Sequence, residues 1–130
     1  MEYIVPFHDV DSMKVVWHGH YVKYLELARC KLLEKINYDY SAMELSGYIW
    51  PVVDMRIKYI KPLYFKQSVI ISANIHDYEN RLKINYEIRD KASSEKLTSA
   101  YTIQVAVEME SGEMMYESPS ILLERLGHSS

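Results

Sequence analysis

The spacing of apolar residues changes from helical to strand-like at Trp50, and this change is what most constrains the fold. From Tyr21 to Ile36, apolar residues recur every three or four positions, which predicts one long amphipathic helix. After Trp50, apolar and polar residues alternate in four segments, at 50–61, 69–76, 82–89 and 101–109. A helix followed by strands, without repeated βαβ units, predicts an α+β fold with a mostly antiparallel sheet.

Three shorter elements are predicted around these. Residues 2–8 alternate and contain a proline, which is typical of an edge strand or a bulge. Ser41 is expected to cap a short helical turn that ends at Gly47. Ser118-Pro119 has the chemistry of a helix start, so a short helix is predicted over 121–126.

Length and composition favour one soluble domain, 1–130. A chain of 130 residues can bury one core, and its net charge of −3 gives no electrostatic reason to expect a nucleic acid partner. Cys30 is the only cysteine, which excludes an intramolecular disulfide and suggests a reducing compartment. No segment approaches the roughly 20 apolar residues of a membrane span. We therefore expect a cytoplasmic protein.

A polar loop before the long helix holds the residues best suited to chemistry. Asp9 and Asp11 follow the first apolar segment, and His18-Gly19-His20 opens the helix. A carboxylate can attack a carbonyl carbon or activate water, and the free N–H groups of a helix start can stabilise the resulting oxyanion. The pairing of these groups therefore suits acyl transfer.

Other interpretations of this loop are open. A loop Asp commonly forms a local turn, and Asp9 is expected to order the loop, because alternate residues of an extended segment point apart. His8, His18 and His20 lie near two acids, but their spacing matches no known zinc motif, so no metal is expected. His18 could instead act as a general base, because histidine titrates near neutral pH.

The stretch from Phe7 to Arg29 resembles a known family. It has an Asp-x-Asp loop, two apolar β-branched residues, an aromatic-His pair, then Tyr and Arg. This pattern is similar to that of the hot-dog-fold acyl-CoA thioesterases of the hydroxybenzoyl-CoA thioesterase type, including those associated with the Tol-Pal system. The resemblance implies an antiparallel sheet wrapped around one long central helix, and hydrolysis of acyl-CoA to a carboxylic acid and free coenzyme A. Lys14 stands where the family commonly has glycine.

The resemblance also implies site residues and an assembly. It makes Asp11 the nucleophile or general base, and it gives the backbone N–H at His18 the role of polarising the carbonyl. Coenzyme A is then part of the substrate, and no metal or redox cofactor is needed. Family members place the site between two subunits, so a homodimer or a dimer of dimers is expected. The 12 tyrosines against 2 phenylalanines also favour interfaces.

Seven further residues are predicted to contact the substrate. Those near the helix start and the first long strand could line an acyl tunnel, and the basic ones could meet coenzyme A phosphates. They are Trp17, Gly19, Tyr21, Trp50, Arg56, Lys58 and Arg89. Taken singly, each is more often a core aromatic, a turn glycine or a solvated cation. Two rival functions are a hot-dog 3-hydroxyacyl dehydratase with a histidine base and a non-catalytic acyl-CoA-binding module.

Overall fold

The computed structural model describes residues 1–127, which form helices, strands and connecting turns. The helices are α1 (Gly19–Lys35), α2 (Tyr40–Leu45) and α3 (Ser120–Arg125). The strands are β1 (Glu2–Ile4), β2 (Tyr48–Ile49), β3 (Val52–Tyr59), β4 (Ser68–Asp77), β5 (Leu82–Asp90), β6 (Lys96–Gln104) and β7 (Val107–Glu108). No helix within this range is long and apolar enough to cross a membrane.

The strands form one large antiparallel sheet and one small one. The large sheet has the order β1-β4-β5-β6-β3, and β2 pairs with β7. Ala100 of β6 lies between Ile57 of β3 and Tyr86 of β5, and this register turns the apolar side chains of the central strands to one face. The predicted α+β architecture, with one long helix and four long antiparallel strands, is confirmed.

Helix α1 lies against the apolar face of this sheet. Its buried side includes Tyr21, Tyr24, Leu25, Ala28 and Leu33, which join the same core as the inward side chains of β4 and β5. Burial of each large aliphatic side chain contributes about 1.5–3 kcal/mol, so this contact stabilises the fold. The predicted apolar face of the helix is largely correct.

Two short elements near the N-terminal half differ from the predictions. The first strand ends at Ile4, and Pro6 precedes a 3-10 helix at Phe7–Asp9, because proline suits the position before a helical turn better than a strand interior. Helix α2 is capped by Asp39, whose carboxylate accepts the Ala42 N–H at 2.9 Å. The prediction of Ser41 as the cap is therefore wrong.

The C-terminal third also differs in detail. The last long strand ends at Gln104 rather than continuing to residue 109, because Val107 and Glu108 leave the large sheet and pair with β2. The short final helix is present, but it begins at Ser120 with Pro119 at the capping position. The sequence predicted both elements, and the structure shifts their ends.

Candidate active site

The loop between the 3-10 helix and α1 folds back on itself as a narrow hairpin. Val10 and Val16 form a bridge, and the Asp11 N–H donates to the Val15 carbonyl at 2.9 Å. The Lys14 N–H donates to the Asp11 carbonyl at 2.9 Å, which closes a tight turn at the tip. Asp11 is therefore the first residue of that turn.

Lys14 adopts the backbone conformation that glycine adopts without strain. Its φ is 63°, in the left-handed region that costs other residues roughly 1–2 kcal/mol. This explains why glycine suits the position, and the chain keeps the turn with lysine in its place. The departure from the family pattern at Lys14 therefore leaves Asp11 in a turn.

The Asp11 carboxylate is exposed and lightly bonded. Its Oδ1 accepts the Met13 N–H at 2.8 Å, a local turn of the kind that loop aspartates commonly form. No ion pair with Asp11 occurs within residues 1–127. The carboxylate is therefore free to react with a bound group.

Helix α1 begins eight residues after Asp11 with unoccupied donors. Gly19 is its first residue, and the His18 side chain makes no capping hydrogen bond. The backbone N–H groups of His18 and Gly19 have no acceptor in the described part of the chain. A helix start with free N–H groups attracts negative charge, because the peptide dipoles add along the axis.

A narrow aromatic cleft opens beside this helix start. The His18 ring lies 4.6 Å from the Tyr59 ring, and the Tyr59 ring lies 4.8 Å from that of Tyr21, measured between centroids. The cleft has a volume of about 190 Å³, less than the roughly 300 Å³ at which drug-sized pockets begin, so it suits a small group. Its lining is completed by Val15, Val16, Ile60, Lys61 and Pro62.

Trp17 and Gly19 form a second contact at the helix start. The Trp17 side chain is 60% exposed, and its six-membered ring lies directly over Gly19. A methyl group at Gly19 would overlap that ring, with its carbon 2.6 Å from Trp17 Cε3. Glycine therefore allows the indole to cover the first turn of α1.

Asp9 is buried beneath the loop and bonded to α1. Its carboxylate accepts hydrogen bonds from Lys23 Nζ at 2.6 Å and from the Tyr24 hydroxyl at 2.7 Å. Burial raises the pKa of Asp9, but these hydrogen bonds and the nearby positive charges outweigh burial and lower the pKa overall. Burial and the carboxylate together raise the pKa of Tyr24. Asp9 therefore links the loop to α1, and its role in ordering the loop stays a prediction.

The remaining predicted residues lie elsewhere in the chain. Trp50 is only 4% exposed and donates to the Tyr38 hydroxyl, so within this chain it is a core residue rather than part of the cleft. Arg56 and Lys58 border an open depression on the outer face of the sheet. Arg89 pairs with Glu87. Within residues 1–127, no group of three or more acidic, histidine or cysteine side chains could hold a metal.

Sequence reasoning did not assign Tyr59 or Lys61 to the cleft. Tyr59 is the last residue of the alternating β3 run, so its inward direction was readable from the pattern, but its contact with His18 depends on how β3 lies beside α1. Lys61 forms an ion pair with Glu95 at the rim of the cleft. No sequence signal distinguishes Lys61 from the other exposed lysines.

A long helix against an antiparallel sheet, with a carboxylate loop beside the helix start, defines the hot-dog class of acyl-thioester proteins. The family model of the Thioesterase-like superfamily matches residues 5–125, and the chain belongs to this family. The resemblance stated from the sequence, and the hot-dog fold that it implied, are therefore confirmed.

Individual relatives agree with this assignment. The chain is 33% identical over 110 residues to a putative acyl-CoA thioesterase, YneP of Bacillus subtilis, covering 82% of this chain and 78% of that protein. It is 26% identical to the DHNA-CoA thioesterase structure from Staphylococcus aureus, with a TM-score of 0.79, covering 89% of this chain and 78% of that one. A hypothetical protein from Aquifex aeolicus, at 23% identity, shares the fold with a TM-score of 0.86 over 97% of both chains.

Proposed function

We propose that this protein hydrolyses acyl-CoA thioesters to a carboxylic acid and free coenzyme A. The observation that carries the proposal is the pairing of the exposed Asp11 carboxylate with the unoccupied N–H groups of His18 and Gly19 at the start of α1. Two relatives support it, since their names describe a putative acyl-CoA thioesterase and a DHNA-CoA thioesterase.

Asp11 is the group that begins the chemistry in either of two routes. As a nucleophile, its carboxylate attacks the thioester carbon, the carbon–sulfur bond breaks, and coenzyme A leaves as a thiolate that takes a proton from water. Water then hydrolyses the acyl-aspartyl anhydride. As a general base, Asp11 takes a proton from water, whose oxygen attacks the same carbon directly; the carbon–sulfur bond then breaks, and the proton held by Asp11 passes to the coenzyme A thiolate. Neither route needs a metal or a redox cofactor.

The start of α1 supplies the complementary part of the site. In both routes the carbonyl oxygen of the thioester gains negative charge, and the N–H groups of His18 and Gly19 are free to receive it. These donors are fixed by the helix before substrate arrives, so no reorganisation is needed when the charge develops. The acyl group would then lie in the cleft formed by His18, Tyr21 and Tyr59.

The surroundings of His18 argue against the dehydratase alternative. That reaction needs a histidine base paired with an acid, whereas the His18 ring lies against Tyr59 and forms no ion pair with a carboxylate of residues 1–127. The two histidines near a carboxylate, His8 and His20, both lie at the buried Asp9 rather than in the cleft. The test of hydrolysis is the release of free thiol from a panel of acyl-CoA thioesters, with wild-type and Asp11→Asn proteins side by side. Binding of acyl-CoA without thiol release would favour the non-catalytic module.

The free edge of the large sheet favours a symmetric dimer. Strand β3 pairs with β6 on one side, and no other strand of residues 1–127 covers its second edge. Val52, Val53 and Ile60 are exposed along or just beyond it, and an uncovered apolar edge is a liability that a second copy removes. We expect light scattering at micromolar concentration to give the mass of a dimer or a dimer of dimers. A monodisperse monomer would contradict a shared site.

The basic residues of the sheet are expected to differ in their effect on substrate binding. Arg56 and Lys58 have no ion-pair partner in the described chain, whereas Arg89 is already bonded to Glu87 and to the Ser94 carbonyl. If the phosphates of coenzyme A bind on this face, the double change of Arg56 and Lys58 to Gln should raise KM roughly fivefold, because an exposed charge pair contributes up to about 1 kcal/mol. The kcat should stay unchanged, since phosphate binding is common to ground and transition states.

Arg89→Gln is the control for this pair. It removes one positive charge from the same sheet face, where the double variant removes two, and it does so at a residue that already has partners. Its effect on log KM should therefore be less than half that of the double variant. Steady-state kinetics with one acyl-CoA substrate gives the KM and kcat of the control and of the double variant. Equal KM values for wild type and the double variant would mean that this face is only solvated.

A further inference from the structure

We propose that Asp9 is a positioning residue that fixes Asp11 and the start of α1 relative to each other. The inference rests on the proposed hydrolysis, because it concerns how the two reacting parts of that site are aligned. Asp9 lies two residues before Asp11 in the loop and is bonded to the helix that carries the free N–H groups. It does not face the cleft and would not touch substrate.

The side chain of Asp9 joins the loop to the first turns of α1. Its carboxylate has no exposed surface, and its two oxygens are used separately, Oδ1 by Lys23 Nζ and Oδ2 by the Tyr24 hydroxyl. His20 Nδ1 lies 3.7 Å from Oδ1 on the same helix, and His8 Nε2 lies 3.5 Å from it on the loop side. A buried carboxylate held from several directions has little freedom to shift.

The backbone of Asp9 closes the loop at the same point. Its carbonyl accepts the Trp17 N–H at 3.2 Å, which joins the two ends of the hairpin that carries Asp11. Trp17 is the residue immediately before His18, so one residue links both ends of the loop and the helix. A displacement of Asp9 would therefore move Asp11 and the His18 N–H by different amounts.

Stability does not by itself require a charged group in this place, although the lowered pKa of Asp9 means that its ionised form favours the fold at neutral pH. A buried ion pair is often no better for stability than apolar side chains of the same volume, because the cost of desolvation offsets the attraction. Hydrogen bonds to a buried carboxylate do, however, define position and direction more narrowly than apolar packing. The rate of catalysis depends on the exact placement of the reacting groups, since a displacement of about 1 Å can cost roughly 100-fold in rate.

The chain offers a matched pair of tyrosines with which to test this role. The hydroxyl of Tyr24 bonds to Asp9 at 2.7 Å, and that of Tyr86 bonds to Thr102 at 2.7 Å, with both rings buried in the same core. Tyr24→Phe removes the hydrogen bond to Asp9, whereas Tyr86→Phe removes the bond to Thr102 and a contact with the buried Arg29 guanidinium. Only Tyr24→Phe takes a partner from the Asp9 carboxylate, which keeps its bond to Lys23. The kinetic constants and the hydrogen exchange of both variants are measured at a temperature well below the melting temperature of each.

Tyr24→Phe is expected to lower kcat for thiol release at least tenfold, with KM within twofold of wild type. Tyr86→Phe should leave both constants within twofold. Amide hydrogen exchange followed by mass spectrometry should show faster exchange in residues 10–18 of Tyr24→Phe and unchanged exchange there in Tyr86→Phe. Asp9→Asn, which keeps the size of the side chain but weakens the Lys23 contact, should act in the same direction as Tyr24→Phe.

Two results would overturn the positioning role. One is an equal loss of kcat in the two tyrosine variants, and the other is normal exchange and normal kcat in Tyr24→Phe and Asp9→Asn. The exchange measurement does not depend on turnover. If wild type releases no thiol from any acyl-CoA while exchange in residues 10–18 responds as expected, the proposed hydrolysis fails and the fixing of the loop by Asp9 stands.

Discussion

Replacing Asp11 with Asn is expected to lower kcat by roughly 100-fold or more, while acyl-CoA still binds. The substitution keeps the size of the side chain but removes the charge that makes it a nucleophile or a base. Thiol release and acyl-CoA binding, measured on the same preparation, separate loss of chemistry from loss of substrate.

The fold should survive this change because Asp11 contributes little to it. The side chain is exposed, and its hydrogen bond is a local one with the Met13 N–H, which an asparagine oxygen can also accept. Circular dichroism and light scattering should therefore match wild type. If the variant lost helix content or changed its oligomeric state, the loss of activity could not be assigned to the missing charge.

Asp77→Asn is the matched control for Asp11→Asn. Asp77 also accepts the N–H of the residue two positions further on, Glu79, at 3.3 Å, and it differs from Asp11 in pairing with Arg81. The same substitution there should leave kcat unchanged, because Asp77 lies at the end of β4 opposite to the one that pairs with β1, the strand that leads into the Asp11 loop. Near-normal turnover in Asp11→Asn, or an equal loss in Asp77→Asn, would contradict the role given to Asp11.

The long elements were readable from the sequence because each repeats one spacing over many residues. The pattern from Tyr21 to Ile36 and the alternation after Trp50 predict α1 and the four long strands, and local errors at single positions do not change the period. The ends of elements depend on single side chains. Asp39 rather than Ser41 caps α2, and nothing in the local sequence separates two candidate caps that lie two residues apart.

The candidate site was only partly readable for a different reason. Asp11 and His18 lie in one continuous stretch, so the resemblance of that stretch to the family predicts both together. The partners of Asp9 are 14 and 15 residues away, and Tyr59 reaches His18 only through the packing of β3 beside α1. Trp50 is an aromatic residue of the kind expected in an acyl-binding site, but it is buried in the core. Contacts between distant segments are set by the tertiary fold, and one sequence does not contain their distances.

The second large effect is expected from removing a single backbone N–H. His18 has φ −52° and lies just before the first residue of α1, so proline can occupy it with its own preferred φ. Trp17 precedes the helix, but its carbonyl accepts the His20 N–H at 3.0 Å, so helix content has to be measured because proline restricts the residue before it. His18→Pro should lower kcat by roughly 100- to 1,000-fold, which is the usual cost of losing one oxyanion donor.

His18→Ala separates the backbone from the imidazole. Both variants lose the ring and its contact with Tyr59, but only the proline variant loses the N–H. If the backbone receives the negative charge, His18→Ala should keep kcat within about tenfold of wild type, while His18→Pro loses at least another tenfold, with helix content and oligomer mass unchanged in both. An equal and complete loss in the two variants, together with near-normal turnover of Asp11→Asn, would instead make the imidazole the reacting base. The helix start would then hold a histidine catalyst rather than an oxyanion site.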